Sequence, residues 1–137
     1  MTKYDDLKGT PFEVEQGLYE SFYDNGQLSI RVNFKDGKPD GHYESFYDNG
    51  QLEERGNYID GKLDGLYEKF HENGQLQIRG NCIDGERDGV WEWLHENGQL
   101  QGRRTHIDGK RDGLFTKYDQ ESNLIETQEW RDGNLIK

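Results

Sequence analysis

Ten residues, YESFYDNGQL, stand at Tyr19–Leu28 and return letter for letter at Tyr43–Leu52. The 24-residue step between them runs through the chain. Gly17, Gly41, Gly65, Gly89 and Gly113 keep it, and so do Leu28, Leu52, Leu76, Leu100 and Leu124. Asn-Gly recurs at Gly26, Gly50, Gly74 and Gly98, and Asp-Gly at Gly37, Gly61, Gly85, Gly109 and Gly133. A catalytic centre is used once, whereas a unit that cannot bury its apolar side alone gains from being stacked. The period therefore predicts a repeat architecture. It divides the chain into an N-terminal lead-in and cap, 1–16, and five repeats, 17–40, 41–64, 65–88, 89–112 and 113–137. The fifth is degenerate, with Glu121-Ser122 where Asn-Gly would fall, as expected of a terminal cap.

Each unit reads as two strands. Asn-Gly between two such runs predicts a two-residue hairpin turn with positive φ at both positions, and Asp-Gly predicts a second such turn into the next unit. The expected fold is all-β: an elongated, curved, single-layer antiparallel meander of stacked hairpins, about ten strands in all at ~4.8 Å per strand. The Asn-Gly register places Glu20 opposite Arg31, Glu44 opposite Arg55, Glu68 opposite Arg79 and Glu92 opposite Arg103. In the fifth unit both positions change together, to Thr116 and Thr127. Such pairing is what cross-strand energetics favour. The same register sets Tyr43 against Gly56, Tyr67 against Gly80, Trp91 against Arg104 and Trp93 against Gly102. Carried through the Asp-Gly turns, it sets Gly56 against Gly65 and Gly80 against Gly89, a line of glycines along which the sheet would crease.

With 30% hydrophobic residues among 137, the core is expected to be thin, yet 12% aromatics separate the chain from disordered sequences. The net charge of -11 argues against nucleic acid and anionic membranes, whose phosphates require Lys and Arg. It leaves a basic partner open, and it also fits simple solubility. A single cysteine, Cys82, excludes an internal disulfide and fits a reducing compartment. Met1–Gln16 has no apolar run, and no stretch has the length of a membrane span. The expectation is a cytoplasmic monomer.

The unit G-[LHV]-[YWF]-E-x-[FLY]-[YH]-x-N-G-Q-L, closing on D-G-x-x-D-G, resembles a MORN repeat, and more closely the bacterial variant of the YwqK-like antitoxin family. The resemblance covers roughly Gln16 to Lys137. It implies a sheet of stacked hairpins and a role in protein–protein interaction. The bacterial group is associated with toxin–antitoxin pairs, and other MORN proteins with membranes.

Few residues suggest chemistry. Asp pairs four apart, such as Asp60 with Asp64 and Asp84 with Asp88, could form a carboxylate rail for Ca²⁺, but Asp also favours Asp-Gly turns without any metal. His71 and His95 replace Tyr23 and Tyr47, which suggests packing. Cys82 occupies the column of Phe34, Tyr58, His106 and Trp130 and reads as a small buried filler. No catalytic residue, metal ligand or cofactor is expected. The fourth unit departs most from the others. Trp91, Trp93 and His95 alternate onto one face, and Arg104 and His106 point to the same side. Aromatic rings with arginine suit a binding hot spot, so these five residues form the candidate partner-binding patch. The competing reading is wider packing that closes the C-terminal end.

Overall fold

The computed structural model of the protein describes Thr2 and residues 16–137, so the N-terminal lead-in lies largely outside the described residues. The rest is one antiparallel sheet. Its strands are β1 Gly17–Phe22, β2 Leu28–Lys35, β3 Lys38–Phe46, β4 Leu52–Ile59, β5 Lys62–Leu63, β6 Gly65–Phe70 and β7 Leu76–Ile83. There follow β8 Glu86–Leu94, β9 Leu100–Ile107, β10 Lys110–Arg111, β11 Gly113–Tyr118, β12 Leu124–Arg131 and β13 Asn134–Leu135. Strands pair in chain order, so the topology is a meander of hairpins. β5 with β6, and β10 with β11, are two halves of strands that elsewhere, as in β3 and β8, run unbroken.

The Asn-Gly turns differ from the two-residue expectation. Tyr23 N–H donates to Gln27 O (2.8 Å) and Gly26 N–H to Tyr23 O (2.9 Å), which makes Asp24-Asn25-Gly26 a three-residue loop. Gly26 has positive φ and Asn25 does not. This is a type I turn followed by a left-handed glycine. The extra residue is absorbed one step later, where Phe22 pairs with Leu28 but Ser21 pairs with Ile30. The bulge restores the register, so Glu20 still faces Arg31, and the same holds in every unit.

Asn is used for its amide rather than for its backbone. In each of the first four turns its Oδ1 accepts the N–H two residues on, as in Gln27 to Asn25 (2.9 Å). Its Nδ2 donates to the carbonyl of the next unit's turn, as in Asn25 to Asp48 O (2.9 Å). The ring beside it does the same: Tyr23, Tyr47, His71 and His95 each reach a backbone carbonyl of the following unit. The fifth unit departs from this pattern. There Glu121 replaces Asn, Ser122 takes the positive-φ position, and Asp119 accepts the turn N–H groups instead.

The Asp-Gly turns are two-residue turns with positive φ at Asp and Gly alike, as predicted. The glycine alignment is corrected. Beyond each Asp-Gly turn the register jumps by two residues: Tyr58 pairs with Leu63, but Arg55 pairs with Glu68. Gly56 therefore does not meet Gly65, nor Gly80 Gly89. The surplus is taken up at the second Asp-Gly, whose glycines Gly41, Gly65, Gly89 and Gly113 all have positive φ. Its aspartate folds onto the neighbouring turn: Asp40, Asp64 and Asp112 accept the backbone N–H of Asp60, Asp84 and Asp132. Among the described residues no group of His, Cys, Asp and Glu has the arrangement of a metal site.

The two faces differ sharply. The outer face carries one unbroken row across the sheet, in the order Glu20, Arg31, Glu44, Arg55, Glu68, Arg79, Glu92, Arg103, Thr116, Thr127, each residue paired in register with the next. The inner face carries the core: Ile30, Val32, Phe34, Tyr43, Tyr58, Leu63, Tyr67, Cys82 and Trp91. Tyr43 meets Tyr58 edge-on at 5.6 Å, and Tyr67 stacks on Trp91 at 5.9 Å. A buried carboxylate sits among them. Glu54 is 2% exposed and accepts from Tyr43 (3.1 Å), Ser45 (3.1 Å) and Tyr67 (2.5 Å). Burial beside this carboxylate pushes the Tyr67 hydroxyl far above its ordinary range.

A candidate cationic and aromatic interface

On the inner face, β8 to β12 carry a different chemistry from β1 to β7. The Arg87 guanidinium lies 4.5 Å from the Trp91 ring centre and 5.7 Å from that of Trp93. Arg104 lies 4.9 Å from Trp93 and 5.5 Å from Phe115. Arg111 lies 5.6 Å from Phe115 and 3.6 Å from Trp130. Three guanidiniums thus alternate with four rings in one continuous stack. Cation–π contact favours each step by about 0.5–2 kcal/mol. It does not neutralise any charge.

Among the described residues none of these three arginines is in an ion pair. Their Nε atoms fare poorly: those of Arg104 and Arg111 are buried without a hydrogen-bond partner. His106 is 6% exposed, and neither ring nitrogen makes a well-formed hydrogen bond. Burial, then the charges of Arg87 and Arg104, pull its pKa below 6.5, and a pull upward from the Gly109 backbone does not offset them. Burial and then repulsion from Arg111 and Arg87 likewise lower the Arg104 pKa, and burial lowers that of Arg111. Four basic side chains thus repel one another in a chain whose net charge is -11.

The five candidate residues separate. Trp93, Arg104 and His106 belong to this cluster. Trp91 anchors it from beneath: it is fully buried and its indole N–H donates to Asn81 O (3.0 Å), so it offers no surface to a partner. His95 does not join. It lies beyond the end of β8, where its Nε2 is 3.0 Å from Tyr118 O as the last member of the turn-edge column. Sequence reading missed Arg87, Arg111, Phe115 and Trp130 as members of the cluster that contains Arg104. A signal was present, because Pro39 and Leu63 become Arg87 and Arg111 at one repeat position. A shallow depression of about 180 Å³ opens among Trp93, Gly102, Arg104, Phe115 and Lys117. A larger one of about 690 Å³ lies over Arg31, Glu44, Arg55 and Glu68 on the outer face. Arg31 and Arg55 there are already in ion pairs with those glutamates, so that groove carries less unmet electrostatic demand.

The profile of the MORN repeat variant matches residues 15–36, 39–60, 63–81 and 87–108, which is more than half of the chain. The protein belongs to that family. Curated proteins give no match. Among solved structures, accessory secretory protein 1,2 and 3 in Streptococcus pneumoniae is similar over 85% of this chain, at 14% identity and a TM-score of 0.40. The alignment spans 21% of that chain.

Proposed function

We propose that this protein is a non-enzymatic protein-interaction module, a cytoplasmic antitoxin or immunity protein that binds and neutralises a toxin, and that its partner docks on the inner face between β8 and β12. The binding part of this reading rests on one observation. The inner face changes from an aromatic and aliphatic core to a half-buried stack of Trp93, Arg104, Phe115, Arg111 and Trp130 with uncompensated charge. Core residues serve the fold, whereas half-buried tryptophan and arginine dominate binding energies. The toxin rests on the bacterial MORN resemblance.

The test is Trp93→Ser, which installs the residue that Ser21 and Ser45 hold in the first two units. With a partner captured from the native host, the variant should fold and bind more weakly by about 2 kcal/mol or more. A lower melting temperature with unchanged affinity per folded molecule assigns Trp93 to packing and overturns the reading.

A second reading, a self-assembling scaffold, draws on the open sheet, whose first strand β1 pairs on one side only among the described residues. Light scattering over a wide concentration range separates the two. A constant monomer mass supports the module, and growing oligomers support the scaffold.

A further inference from the structure

Resting on the interaction reading, we infer that the Arg87–Arg104–Arg111 stack is a receptor for carboxylate side chains, and that the partner presents an acidic, partly apolar peptide segment to it. The geometry is that of a site rather than a surface. Each guanidinium has aromatic rings within cation–π distance, which restrict its movement, and with Nε of Arg104 and Arg111 buried it is the terminal nitrogens that would meet a ligand. A planar carboxylate matches those nitrogens with two parallel hydrogen bonds. His106, nine-tenths buried and without a well-formed hydrogen bond, lies in the strand pair β9–β10 beside Arg111. Lys117 adds a cation on the rim of the depression between Trp93 and Phe115. Asp84, Glu86, Asp88 and Asp108 line a depression with Arg87 without forming an ion pair with it, and on the other side Glu126 stands opposite Lys117. Its carboxylate accepts from Gln128 (2.8 Å) and forms no ion pair with the stack.

Charge and shape choose the occupant. The net charge of -11 opposes every anionic ligand, and it opposes polyphosphates and nucleic acids most, because they carry dense negative charge along their whole length, whereas a peptide can bring a few carboxylates to the cationic stack alone. A peptide spaces its carboxylates by residues that can cover the exposed edges of Trp93 and Phe115. The depression of about 180 Å³ has room for a side chain and not for a nucleotide. The outer face shows what the same residue type looks like when satisfied: Arg31, Arg55 and Arg103 all carry glutamate partners. Arg103 and Arg104 are neighbours in sequence and opposite in face, so one is paired within the fold and the other is left for a ligand.

The experiment titrates the full chain, by tryptophan fluorescence and calorimetry, with a short peptide of alternating Glu and Phe, and with the same peptide carrying Gln for Glu. The expected result is saturable binding of the Glu peptide, at least ten-fold weaker binding of the Gln peptide, and loss at high salt. Arg104→Gln and Arg111→Gln should each weaken the Glu peptide at least ten-fold, while Arg103→Gln leaves it unchanged. Circular dichroism and melting confirm that each variant is folded. If Arg104→Gln does not fold, Arg111→Gln, on the short strand β10, carries the same test. No saturable binding, equal binding of the two peptides, or equal losses in all three variants overturns the inference. Displacement of the peptide by inorganic phosphate at equimolar level also overturns it, because the site then takes any oxyanion. The interaction reading is separately exposed. A native partner lost with Trp93→Ser but indifferent to both arginine changes leaves that reading standing and removes this one.

Discussion

A side-chain carbon on Gly80 would fall 2.0 Å from Cδ2 of Trp91. The ring occupies the space that any other residue would need. It cannot swing aside, because its N–H is held by Asn81, Tyr67 stacks on one side and Arg87 lies over its ring. Gly80→Ala should therefore cost about 3 kcal/mol, the upper range of overpacking. Gly56→Ala is the control. There the nearest atom is Leu63 Cδ2 at 3.2 Å, the end of a flexible side chain, so the loss should stay below about 1.5 kcal/mol. Urea midpoints measure both, and similar losses in the two variants would show that Trp91 relaxes freely.

Glu68 stands between Arg55 and Arg79 in the outer row, and its ion pair is with Arg55, at 2.8 Å. Sequence covariation had singled out Arg79, the partner within its own hairpin. Both neighbours are correct in register, and rotamer choice selects one. Arg55 is 54% exposed, so water and salt weaken the pair. A double-mutant cycle on Arg55 and Glu68 should give a coupling of about 0.5–1 kcal/mol that shrinks in high salt. The Glu68–Arg79 cycle should give less. The reverse order would contradict the geometry.

Strand order and the Glu–Arg pairs within each hairpin were legible in the sequence because they repeat, and repetition lets one unit check another. The joining of those pairs into one outer row was not, because it depends on the jump beyond each Asp-Gly turn. What failed to read was local. Asn25 looked like a positive-φ residue and instead serves through its amide, a role that residue type alone does not distinguish. The two-residue jump after each Asp-Gly turn left no trace, since Asp40-Gly41 has the same letters as an ordinary turn. Arg104 was found because it breaks a glycine column. Arg87 and Arg111 stand where the Asp-Gly register is right, opposite Cys82 and His106, and were missed because their contacts with Trp93 and Phe115 run across the face rather than to a register partner. Glu54 was hidden for a different cause: it is one glutamate among many, and only burial sets it apart.

Three hydroxyls of the described residues donate to Glu54, and they are not equivalent. Tyr43 and Ser45 share Oε1, whereas Tyr67 serves Oε2. Removing the Tyr67 hydroxyl leaves a buried carboxylate oxygen short of that donor. Tyr67→Phe should cost about 1–3 kcal/mol. Ser45→Ala should cost less, because Tyr43 still serves Oε1. Thermal unfolding of the two variants ranks them, and a larger loss for Ser45→Ala would show that Oε1 carries the network.

His106 gives the protein a pH dependence of definite sign. Its pKa in the folded state lies below 6.5, because burial and the charges of Arg87, Arg104 and Arg111 oppose its protonation. Once unfolded, it binds its proton near the ordinary value. As pH falls through about 6.5 the unfolded chain takes up a proton that the folded one refuses, so stability falls with pH until the folded pKa is reached. Above about 6.5 both states are neutral and the contribution is flat. Most carboxylates titrate lower, near about pH 4, which leaves a window in which histidine dominates. His106→Tyr is the reference, because Tyr58 holds the same repeat position in the second unit. Urea midpoints taken from about pH 7.5 down to about pH 5.5 should fall for the wild type relative to this variant. An acidic peptide bound to the arginine stack should flatten the difference, since it supplies the negative charge that His106 lacks. Parallel profiles for the two proteins would show that the imidazole takes its proton as freely in the fold as out of it.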